Sequence, residues 1–157
     1  MTTLNTSTEN GPFTDKLFTE NLNFILYEGI YYFVSIERDY RLTPEKADSG
    51  FWPSIDSEDG GYVNPRDFAN ALAEAKIRRA AFDAGEWYYV NIAIRAEVNL
   101  RIIGYTEDTI SFGTVAEWGS IESDDKTELL HTINRFVFPE AVSHTRSIIK
   151  NLAMLIC

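Results

Sequence analysis

The side chains able to do chemistry here are two histidines, one cysteine and several clusters of acids. Glu140 and His144 stand four apart in a helical pattern, so they share one face, as a pair of metal ligands would. A zinc site takes three or four ligands. An ion pair on the helix surface is the simpler reading. The run from Asp56 through Glu58 and Asp59 to Gly61 offers oxygen ligands, but Gly60 falls where a calcium loop needs one. A solvated loop is expected instead. Cys157 has no neighbouring histidine to take its proton, so a catalytic thiolate is not expected. Glu122, Asp124, Asp125 and Glu128 offer carboxylates for acid–base work. Helix capping accounts for them more simply, because Asp125 and Glu128 have capping-box spacing. Neither glycine-rich phosphate motif occurs. The expectation is a non-enzyme with no catalytic residue, no metal and no cofactor.

The 157 residues fit one domain, and 45% hydrophobic residues suffice for a packed core. A net charge of −10 repels nucleic-acid phosphate and anionic membrane, and suits basic partners or solubility alone. A lone cysteine forms no internal disulfide, which fits a reducing, cytoplasmic setting. Residues 1–12 are polar, without the basic and apolar regions of a secretion signal, and read as a disordered tail. No apolar run reaches the ~18 residues that span a bilayer.

The elements follow from periodicity. Residues 13–26 predict a first strand, with Leu22, Phe24 and Leu26 alternating, and Glu28-Gly29 breaks it. Residues 30–37 predict a second strand, apolar on both faces. Residues 42–62 hold Pro44, Gly50, Pro53, Gly60 and Gly61 and read as a long loop with Phe51 and Trp52 inside it. Asn64-Pro65 predicts a helix start, and 69–84 a helix; a strand over 76–82 is the alternative. Residues 88–102 alternate without a break and predict a long strand. A turn at 104–108 leads to its hairpin partner, 110–118, with Ile110, Phe112, Ala116 and Trp118 on one face. Residues 129–157 carry an apolar stripe at helical spacing, and Pro139 must kink that helix or start a second one.

Four stretches resemble the SecB family of export chaperones. LFTENLNF at 17–24 looks like the family's first strand, and VNIAIRAEV at 90–98, with Arg95, like its third. ISFGTVAEWG at 110–119 is similar to the fourth strand and the glycine after it. INRFVFPEA at 133–141, then SII at 147–149, is similar to the long helix around the family's F-P-Y-A-R motif. The resemblance implies a divergent member. Its chaperone domain covers 13–157, and 42–85 is a divergent insertion. The implied fold is α+β: a four-stranded antiparallel sheet, a long kinked C-terminal helix packed on one face, and an inserted loop and helix.

The resemblance also implies a tetramer, a dimer of dimers, that holds an unfolded polypeptide in grooves beside its helices. The aromatics expected to bind such a client are Tyr31, Tyr32, Phe33, Trp52, Phe112, Trp118, Phe136 and Phe138; ordinary core is the competing reading for each. Leu129, Ile133, Ile148, Leu152 and Leu155 are expected at subunit interfaces or between helix and sheet. Export members dock the translocation motor through acids on the outer sheet face. The corresponding positions here hold Asn21, Ile25 and Thr114. That loss favours a dedicated client, such as the antitoxin of a toxin–antitoxin–chaperone system, over a preprotein bound for export.

Overall fold

The computed structural model describes residues 11–99 and 109–156. Residues 1–10, the turn expected at 104–108, the end of the predicted strand 88–102 and Cys157 lie outside the described residues. The fold is α+β, with one four-stranded sheet in the order β1-β2-β3-β4: Phe24–Tyr27, Ile30–Arg38, Tyr89–Asn99 and Thr109–Glu122. The helices are α1 (Lys16–Thr19), α2 (Pro44–Ala47), α3 (Phe68–Asp83), α4 (Lys126–Thr132) and α5 (Phe138–Ile156). The chain forms two compact units. The first comprises the described residues up to Glu37 with those of Asn91–Gly119 and Asp125–Cys157; the second is Arg38–Val90 with Ser120–Asp124.

In the first unit the expected strand 13–26 is corrected. Only Phe24–Tyr27 pairs, antiparallel to β2, with Phe24 opposite Phe33 and Tyr27 opposite Ile30. Upstream, Phe13 and Leu17 are buried and the chain turns once as α1. Phe13 and Leu17 stand four apart, a spacing that puts both on one face of a strand or of a helical turn, so the pattern alone does not separate the two. Glu28 and Gly29 form the two-residue hairpin turn, both at positive φ (52° and 78°). Such turns match the right-handed twist of the strands they join. On β3 the expected alternation holds from Val90 onward: Val90, Ile92, Ile94 and Ala96 are buried, while Asn91, Ala93, Arg95 and Glu97, which alternate with them, are not; at the start of the strand Tyr89, expected on the other face, is buried as well. On β4 it slips. Gly113 has φ 70°, and the consecutive residues Val115 and Ala116 are both buried.

In the C-terminal rod a new helical element begins beside Pro139, one of the two expected outcomes, and the winding changes just before it. α4 and α5 are joined by a π turn, Ile133–Val137, closed by the Phe138 N–H on the Ile133 carbonyl. An α-helix would drive the Pro139 ring against the Arg135 carbonyl; the wider turn relieves that clash without ending the helix. Leu129, Ile133, Val137, Ala141 and Thr145, four apart, are all buried. Each four-residue step overshoots a 3.6-residue turn by about 40°, and the π turn takes up part of the drift. The rod meets the sheet through specific contacts. Tyr32 and Tyr27 present their ring edges to Phe138 at 5.4 and 5.5 Å. His144 Nδ1 lies 2.9 Å from the Val115 carbonyl oxygen.

The second unit holds the expected loop and helix. Asn64 caps the 3-10 turn Pro65–Asp67 by accepting from the Arg66 N–H, and α3 follows. The strand alternative for 76–82 is therefore set aside. Gly85 (φ 75°) ends α3, donating to Phe82 while Glu86 donates to Ala81, the paired bonds of a Schellman stop. Asp125 caps α4 by accepting from the Glu128 N–H, as expected. Glu122 and Asp124 are not caps. Both accept from Arg78 of α3, at 2.6 Å each, and the Arg78 guanidinium lies 3.7 Å from the centre of the buried Trp87 ring. Capping is local and visible in spacing, whereas this pairing joins residues more than forty positions apart.

Candidate functional site

A groove of about 560 Å³ opens in the first unit along the rod where Pro139 interrupts it. Its apolar wall is Pro12, Tyr27, Phe138, Pro139 and Val142, and Arg146 and Lys150 stand on its polar side. Local rules put each residue there. The hairpin turn brings Tyr27 to the end of β1. Phe138, Val142 and Arg146 recur at four-residue intervals on α5. Pro12 is held by a clamp: Asn134, buried in the π turn, accepts from the Phe13 N–H at 3.0 Å and donates to the Phe13 carbonyl at 2.9 Å. The fit is close enough that a Cβ on Gly11 would lie 2.2 Å from the Asn134 Cβ. Arg146 is paired with Glu28 at 2.7 Å. Burial is the main cause holding the Tyr32 phenol above its ordinary range, opposed by its hydrogen bond with Thr145; Tyr32 therefore stays neutral behind the groove.

A second apolar surface lies on the sheet. The pairings Phe24–Phe33 and Leu26–Tyr31 put four large side chains on one face. Phe24 is 42% and Leu26 54% exposed, while Tyr31 and Phe33 are half-buried. The Arg95 guanidinium sits 5.0 Å from the centre of the Phe33 ring. A third cluster joins β4 to the rod. Trp118 stacks on Phe136 at 5.2 Å, and its indole N–H donates to Glu140 at 2.7 Å. Glu140 thus has an indole partner in place of the expected ion pair with His144.

The residues expected from sequence divide accordingly. Tyr31 and Phe33 share the open sheet face, Trp118 and Phe136 form the stacked pair, and Phe112 is half-buried on β4. Trp52 is exposed in the second unit, donating to Glu45. Two assignments are corrected. Tyr32 is interior, and Phe138 is nearly so, ringed edge-on by Phe13, Tyr27 and Tyr32; it contributes only part of the groove wall. Leu129 and Ile133 are both wholly buried in this chain's own core, so of their two expected places the interior one holds and the subunit interface is corrected. Ile148 is half-buried, and Leu152 and Leu155 are exposed on distal α5. Sequence reasoning missed Pro12, Tyr27, Asn134 and Arg146. The alternation of Leu22, Phe24 and Leu26 and the apolar second face of residues 30–37, with Tyr31 and Phe33, signalled the open face in advance. Among the described residues there is no cluster of three metal-ligating side chains and no helix long and apolar enough to cross a membrane. The chain matches no family model, no curated protein and no solved structure.

Proposed function

We propose that the chain is a SecB-like holdase, a chaperone that binds extended, aggregation-prone polypeptide segments and performs no catalysis. The observation that carries this reading is the groove beside the rod at Pro139. It has an apolar wall, a polar margin and enough volume for several side chains of an extended segment. The open face of Phe24, Leu26, Tyr31 and Phe33 supports it, because rings that lose little rotamer freedom suit varied apolar sequences. The client is a dedicated cytoplasmic one, such as an antitoxin, rather than a preprotein bound for export. In support, Thr114, exposed on β4, is uncharged where the resemblance places a docking acid. Assembly as a tetramer, a dimer of dimers, is part of the same proposal, with distal α5 as an apolar contact surface.

The test is fluorescence anisotropy with a labelled, carboxymethylated protein that cannot fold. The unsubstituted chain is expected to bind it and to suppress its aggregation. Ser143→Trp places an indole in the groove from an exposed lining position, and is expected to weaken binding about tenfold. Unchanged affinity in a folded Ser143→Trp variant would overturn the groove assignment, and no binding by the unsubstituted chain would overturn the chaperone reading.

A further inference from the structure

The second unit carries a groove that this reading does not use. It lies between the 50–63 loop and α3 and measures about 450 Å³, within the roughly 300–1,000 Å³ of ordinary ligand sites. Phe51, Pro53, Val63, Ala71 and Ala75 make it apolar. Ala71 and Ala75 stand one helical turn apart, and their small side chains leave open the trough that larger ones would fill.

The loop lacks regular structure, yet it is held. Asp48 accepts from the Gly50 N–H at 2.8 Å, and Ser54 Oγ donates to Asp59 at 2.6 Å. Ser54 N–H bonds the Gly61 carbonyl, and Val63 N–H the Ser54 carbonyl, at 2.9 and 2.8 Å. A Cβ on Gly61 would lie 2.2 Å from the Trp52 carbonyl oxygen, so the strands of the loop press directly on one another. A trough built this way is present before a partner arrives, which lowers the ordering cost of binding.

Its charge selects the partner. Arg78 lines the groove but is already engaged by Glu122 and Asp124 and stacked on Trp87. Glu74, which also lines it, is exposed and has no ion pair among the described residues. The uncompensated charge at the groove is therefore negative, the same sign as the chain's −10, which draws cations from a distance. We propose that this groove docks an extended peptide segment in which an aliphatic or aromatic residue is flanked by Lys or Arg. The apolar side chain fills the alanine-floored trough, and the neighbouring cation meets Glu74.

The experiment uses the full chain and short fluorescein-labelled peptides, read by anisotropy at low and high salt. One peptide carries Leu-Phe between lysines and arginines, a second has those cations replaced by Glu, and a third has Leu-Phe replaced by Ser. The first is expected to bind about tenfold or more tighter than either control, and to weaken as salt rises. Ala71→Trp, which fills the trough, is expected to abolish that preference, and Glu74→Lys to reduce it about tenfold. Ser143→Trp is expected to leave it unchanged, which separates this site from the rod groove. Equal binding of all three peptides, or a preference that survives Glu74→Lys in a protein of unchanged circular dichroism, would overturn the proposal.

Discussion

Two neighbouring phenylalanines show how much a single position decides. Phe138 is buried among three rings, and Phe136 is 43% exposed against Trp118. Phe138→Ala is expected to lower unfolding stability by about 3–5 kcal/mol, the usual range for a lost core aromatic. Phe136→Ala should cost less than about 1 kcal/mol; urea denaturation of both checks the contrast. Asn134→Ala removes both hydrogen bonds to Phe13 and leaves a buried N–H and carbonyl unmet, a cost of roughly 3 kcal/mol. Tyr32 and Tyr89 are both held above 10.0, with burial the first cause. Their folded values exceed the unfolded one, so this contribution is complete below about pH 10 and lost as pH rises through the folded values. Denaturation midpoints should therefore hold up to about pH 10 and fall above it. None of these identities was legible beforehand. A ring in an apolar stripe looks alike in sequence whether it is enclosed or half-open, and the amide clamp joins positions 121 residues apart.

The elements were the most legible level, where local rules act alone. The second and third strands, the helix after Asn64-Pro65, the Asp125 cap and the C-terminal rod all follow from periodicity and capping residues close in sequence. Three local features escaped. Residues 13–23 contain apolar residues at a spacing that strand and helical turn both satisfy, and the burial of Phe13 and Leu17 decided for the turn. The slip at Gly113 is a backbone event that side-chain patterning does not record. The π turn arises from a contest between a proline ring and a carbonyl, which a sequence marks only as a possible break. The β1–β2 turn makes its own prediction. Glu28 occupies a left-handed position that Asn tolerates better, and its pair with Arg146 is solvent-exposed and contributes little. Glu28→Asn is expected to raise the urea midpoint slightly; a fall would show that the pair outweighs the turn.

For the whole molecule, distal α5 matters most. Ile149, Leu152 and Leu155, three apart on one face of the helix, are exposed, and an apolar stripe of this kind suits a contact surface. Leu152→Asp with Leu155→Asp places charges where this chain buries nothing. It should reduce the assembly's mass by light scattering while leaving circular dichroism unchanged; a monomeric unsubstituted protein would refute the tetramer. Of the proposed site, the sequence conveyed apolar abundance but not its sorting into core, groove wall and open face, because that sorting depends on contacts between distant segments. The interleaving of the two units has a further consequence. The chain passes between them four times, and the second unit needs Glu122, Ser123 and Asp124 to complete its Arg78 and Tyr88 contacts. During synthesis at about 5–20 residues per second, Phe13 leaves the ribosome roughly 6–24 s before Asn134. A protein proposed to shelter an unfolded client thus spends its own first seconds with its greasy segments unprotected, and slowing translation over 91–134 should lengthen its exposure to proteases and to sticking.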